Sequence, residues 1–74
     1  MKANPLGQKV LEILTPKVGA IVAQAMLEKQ CNAIGASPAF LRKDHLEPLA
    51  KRIEHVLVIF GHDGKEVSNK IRAL

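Results

Sequence analysis

A chain of 74 residues is one small domain, and at this size it buries only about 60% of the surface that its unfolded form exposes, so stability by core alone is marginal. The formal net charge is +4, from eleven Lys/Arg against seven Asp/Glu, too little by itself to imply nucleic acid. The one cysteine, Cys31, excludes a disulfide within the chain and fits a reducing cytoplasm, and no apolar run approaches the ~20 residues of a membrane span.

The first ten residues, MKANPLGQKV, lack the apolar core of a signal peptide. Tyr and Trp are absent, so Phe40 and Phe60 are the only aromatic groups and the core must be built from Leu, Ile, Val and Ala.

In chain order, a first helix is predicted over residues 5 to 14. Asn4 can cap it and Pro5 suits the first helical position. Leu6, Val10, Ile13 and Leu14 share one side, with Gln8, Lys9 and Glu12 opposite. Thr15–Pro16 repeats the cap-plus-proline start, so a second helix is predicted over residues 16 to 34, stopped by Gly35 in a left-handed conformation. Its polar stripe, Lys17, Gln24 and Glu28, is narrow. Apolar side chains cover most of the remaining perimeter, which points to a helix buried on nearly all sides and central to the fold.

Ser37–Pro38 opens a single helical turn, with Phe40 and Leu41 plugging one end of the core. A third helix starts at Asp44 or shortly after, with Asp44 and Glu47 at capping-box spacing and Pro48 tolerated in the first turn. Leu46, Leu49, Ala50, Ile53, Val56, Leu57 and Phe60 share its inner face, and Gly61 ends it. The run HVLVIF, residues 55 to 60, also reads as a strand, but no second strand exists to pair with it. A fourth helix, residues 64 to 74, follows Asp63 as cap, with Glu66 three residues on. Val67, Ile71 and Leu74 point in; Lys65, Ser68, Asn69 and Arg72 point out. The expectation is an all-α single domain spanning residues 1 to 74, a small bundle of four main helices plus a short helical turn.

Groups able to do chemistry are sparse. Cys31 lies in the last turns of the most apolar helix, where burial and the helix dipole favour the thiol over the thiolate. His45, His55 and His62 have no i, i+4 pair and no Cys-x-x-Cys beside them, so no metal site is expected. Glu47 and Glu54 lie on an exposed flank, and Asp44 and Asp63 serve as caps. A phosphate-binding glycine loop is missing, since Gly61 and Gly64 lack the Gly-Lys-Ser/Thr ending. The expectation is a non-catalytic protein without cofactor.

Two kinds of partner remain. Val58 and Ile59 lie away from the inner face of helix three, and with Pro48 and His55 they form an apolar patch beside Lys51 and Arg52. Exposed contiguous apolar surface marks a partner site. A protein partner is therefore expected, including a second copy in a homodimer, since a chain without disulfide or metal gains stability by burying more apolar surface. The alternative is nucleic acid. Helices three and four around Gly61 have the outline of a helix-turn-helix, and helix 64–74 would offer Lys65, Ser68, Asn69 and Arg72. Against it stand a preceding helix of roughly sixteen residues, long for a positioning helix, the acidic Glu54 and Glu66, and a modest net charge. A membrane partner is not expected.

Overall fold

The computed structural model describes residues 2–74, and among these only helices and turns occur. The elements are α1 (Pro5–Val18), α2 (Ala20–Ala33), two 3₁₀ turns (Pro38–Phe40 and Lys43–His45), α3 (Leu46–Ile59) and α4 (Gly64–Arg72). The all-α bundle expected from the sequence is the observed architecture.

The helices pack in a ring. α1 lies on α2, α2 on α3, α3 most extensively on α4, and α4 closes back on α1. All four direct aliphatic side chains inward: Val10 and Leu14 from α1, Ala23, Met26, Leu27 and Cys31 from α2, Leu49, Ile53 and Leu57 from α3, Val67 and Ile71 from α4. Lys17 Nζ, 3.4 Å from Glu66 Oε1, adds an ion pair across the α1–α4 seam.

Local chemistry explains most helix ends. The Asn4 side-chain oxygen accepts from the Gly7 amide at 2.8 Å, while its side-chain amide donates to the Leu41 carbonyl at 2.9 Å. One residue thus caps α1 and ties it to the segment after the first 3₁₀ turn. Asp63 caps α4 by accepting from the amides of Lys65 and Glu66. α2 and α3 end alike. Ala36 N donates to Cys31 O and Gly35 N to Asn32 O; His62 N donates to Leu57 O and Gly61 N to Val58 O. Each is the paired bond of a Schellman stop, with Gly35 and Gly61 at positive φ.

The structure corrects several expectations. The first helix does not end at Leu14; it runs through Thr15 and Pro16 to Val18. Pro16 is exposed in the last turns of the helix, so the Glu12 carbonyl it leaves unpaired is on the solvent side. Thr15 is not a cap; its hydroxyl donates back to the Leu11 carbonyl at 2.7 Å. The corner is made by one residue, Gly19, with φ 87° and ψ 158°, a region essentially reserved for glycine.

The second helix therefore spans Ala20–Ala33 rather than 16–34, and it is neither buried all round nor central. It forms one wall of the ring, with Ile21 87% and Val22 47% exposed. Phe40 and Phe60 are also outside, at 75% and 63%; only Leu41 of the expected Phe40–Leu41 plug is buried. Asp44 caps nothing. It lies in the second 3₁₀ turn and takes two hydrogen bonds from Arg42, at 2.9 and 3.0 Å, which hold its carboxyl below the usual range.

Candidate interaction surface

The exposed apolar side chains of α2 and α3 meet in a groove. Val22, Ala25 and Met26 line it from α2, Val56 and Phe60 from α3, and Lys29 and Gln30 complete the wall. The groove encloses about 250 Å³ and its lining is mostly apolar. At its far end Arg52 Nε donates to Gln30 Oε1 at 3.0 Å, which satisfies the amide oxygen of a nearly buried glutamine. From that bond the apolar lining runs toward the start of α2 and the end of α3. The two helices are therefore antiparallel, and the Gln30–Arg52 bond sets their register.

The six residues read from the sequence as a protein-contact surface, Pro48, Lys51, Arg52, His55, Val58 and Ile59, are all exposed on the outward side of α3. Val58 is 60% and Ile59 80% exposed. Helical spacing puts Arg52, His55, Val56 and Ile59 on one strip, so Ile59 and Arg52 belong to the groove edge as well as to the outer face. Val58 lies on the other side of that outer face, beside Lys51. The apolar surface is thus wider than α3 alone and extends across the groove to Ile21 and Val22.

The sequence reading missed Phe60 because it falls in phase with Leu49 and Val56. It is the residue at which α3 stops, beyond the last buried position, Leu57. The legible signal was helix two, whose apolar perimeter exceeded what three neighbours can cover.

Charge on α3 is divided by side. Glu47 and Glu54 both serve the α4 side: Arg72 Nε reaches Glu47 Oε2 at 2.7 Å, and Arg72 also lies 4.0 Å from Glu54. Ser68 donates to Glu54 Oε1 at 2.7 Å. Arg52 is left on the α2-facing side, where α3 carries no carboxylate, while Lys51 lies on the outer side one turn after Glu47.

These contacts correct one of the four residues read on α4 as a nucleic-acid surface, and they engage a second. Ser68 faces inward and is fully buried, and Arg72 is occupied by two carboxylates. Lys65, Asn69 and Arg72 stand exposed, and of these Arg72 is held by its carboxylate partners. Ser68 was misread because its hydroxyl is polar; its position one turn before Ile71 was the signal for burial.

Cys31 is fully buried, and burial pushes its thiol up to about 11. His45, His55 and His62 do not converge; among the described residues no three His, Cys, Asp or Glu side chains gather as metal ligands. Among those residues no helix is long and apolar enough to cross a membrane. Other hollows mix charges; one of about 600 Å³ between α1 and α4 is lined by Lys9, Lys17, Lys70, Glu12 and Glu66 beside Ile13, Pro16 and Leu74. Compared with known proteins, the chain matches no family model, no curated protein and no solved structure.

Proposed function

We propose that this chain is a non-catalytic helical interaction module, acting in a reducing compartment such as the cytoplasm, that binds a protein through the exposed side of α2 and α3. One observation supports this most: the large apolar side chains left in water, Ile21, Val22, Val58, Ile59 and Phe60, all belong to these two helices or the turn that ends α3, apart from Phe40. A small domain with an aliphatic core has every reason to bury its few aromatic groups. Leaving Phe60 out forfeits on the order of 2 kcal/mol of burial, which a partner recovers on binding. Aromatic anchors of this kind carry much of the energy at protein interfaces. The solitary thiol, held protonated in the core, supports the reducing compartment and argues against a nucleophilic role.

Affinity capture from extracts of the source cells tests the reading. A partner should be retained by the wild-type chain in 0.5 M salt (about 4 Å screening length), because apolar contacts survive screening. It should be lost from Val22→Asp/Phe60→Asp and weakened by Val58→Lys/Ile59→Lys. Equal retention by wild type and both variants would remove the module reading. Sedimentation across a concentration series checks the special case in which the partner is a second copy.

A further inference from the structure

Given the interaction module proposed above, on which this step rests, the geometry points to its occupant: we infer that the α2–α3 groove takes an acidic amphipathic helix from another protein. The groove runs between two antiparallel helices of 14 residues each, about 21 Å long. It is concave and apolar at its floor, where Met26 is nearly buried between Val22 and Val56. A third helix laid along such a groove buries one apolar stripe at i, i+3, i+4 and i+7 and keeps its flanks at the edges.

The edges are cationic. Lys29 stands on the α2 wall and Arg52 on the α3 side, with His55 one turn further along the same strip. No carboxylate lines the groove. On α3 the two acids, Glu47 and Glu54, are drawn to the opposite side by Arg72 and Ser68. On α2 the nearest acid is Glu28, one turn after Ala25; it lines the neighbouring hollow with Lys29 and Asn32 and not the groove itself. A partner stripe flanked by Asp or Glu meets this rim with opposite charge.

The same rim disfavours a second copy. A two-fold contact through the groove sets one copy's Lys29 and Arg52 rim against the same rim of the other, and like charges across an interface oppose association. A planar anionic membrane would answer the charge, but it cannot reach a floor recessed between two helices.

The test is a peptide-display selection on the intact chain. The library holds 16-residue helical peptides with an apolar stripe of varied Leu, Ile, Phe and Met, and with flanking positions varied among Glu, Gln and Lys. Peptides that also bind Val22→Asp/Phe60→Asp are removed. Glu should exceed Lys at the flanking positions of the survivors by at least tenfold. A selected acidic peptide, measured by anisotropy, should bind Lys29→Glu/His55→Glu at least tenfold more weakly, while circular dichroism shows that variant folded. Survivors with Gln or Lys flanks would overturn the acidic helix and leave the module standing. A lack of groove-dependent survivors would overturn the inference, while partner capture judges the module separately. Two further results would overturn the acidic-helix inference: a wild-type dimer that Val22→Asp/Phe60→Asp makes monomeric, or binding to phosphatidylserine vesicles lost in Lys29→Glu/His55→Glu.

Discussion

The hydroxyl of Ser68, fully buried on α4, donates to Oε1 of Glu54 on α3 at 2.7 Å. The carbonyl of Lys65 lies within reach at 3.1 Å, and an Arg72 N–H donates to the same hydroxyl at 3.3 Å. This hydrogen bond draws a carboxylate to the most extensive seam of the fold and keeps it off the interaction face. Ser68→Ala should cost about 1.5–3 kcal/mol, the usual worth of a hydrogen bond to a charged group. Urea unfolding measures the loss. A change within 0.5 kcal/mol, of the order seen at plain surface sites, would mean the bond is not formed in solution.

Gly19 should resist substitution and Pro16 should not. Gly19→Ala places a side chain at φ 87°, ψ 158° and should cost about 1–3 kcal/mol. For a domain of this size that is a drop of roughly 4–8 °C in Tm per kcal/mol. Pro16→Ala restores an amide inside α1 and should hold or raise Tm. A large loss at Pro16 with none at Gly19 would move the helix break back to Thr15–Pro16.

Gly64 packs against the backbone of α3. A methyl group built on it would overlap the Glu54 carbonyl oxygen, and backbone has little freedom to yield. Gly64→Ala should therefore destabilise the protein, although alanine is the better helix former. A rise in thermal stability would show that α3 and α4 lie further apart.

The thiol of Cys31 gives a pH signature. Its value rises from 9.0 to about 11 through burial. At pH 8 the folded protein therefore holds about a hundredfold less thiolate than an unburied cysteine, one factor of ten per pH unit. Alkylation should be slow in the native state and fast in urea. Below pH 9 both states keep the proton and the contribution to stability is intact. As pH climbs from 9 toward 11 the unfolded chain ionises first, so that contribution is lost. The stability difference between wild type and Cys31→Ala should shrink over that interval, with lysine titration cancelling in the comparison. A flat difference would show that the thiol ionises equally in both states.

Val58→Lys/Ile59→Lys should leave helicity and Tm close to wild type, because both side chains already stand mostly in water. Circular dichroism melting decides it. A collapse of the fold would place the two residues in the core.

DNA or RNA should not be held through α4. In an anisotropy titration against mixed sequences, Lys65→Ala/Asn69→Ala should behave like wild type from low to physiological salt. Binding whose salt slope falls by about 1 per cation removed from α4 would reinstate the helix-turn-helix alternative.

Four helix stops and starts were legible because they are settled within a few residues, unlike those read at Thr15–Pro16 and Asp44. Asn4, Asp63, Gly35 and Gly61 act where they were read, each bonding or bending its own neighbouring backbone. The inner positions of α3 and α4 were legible for a similar reason. Val67, Ile71, Leu49, Ile53 and Leu57 recur at helical spacing, and each helix has only one apolar stripe to bury.

Tertiary structure decided the rest. Proline at position 16 is equally compatible with starting a helix and with ending an exposed flank of one, and only the packing of α1 on α2 through Gly19 chooses between them. The apolar surplus of α2 and α3 was visible as composition, but its side was not. A ring gives each helix two neighbours, so α2 is covered where it meets α1 and α3 and open beyond, and Ile21, Val22, Ile59 and Phe60 fall in the open arc. Ser68 shows the converse. Its sequence type belongs to the surface, yet α4 approaches α3 closely at Gly64, and a small hydroxyl with a carboxylate facing it satisfies a buried position that a larger side chain would not fit. Burial depends on which helices touch and at what distance, and no local pattern carries that information.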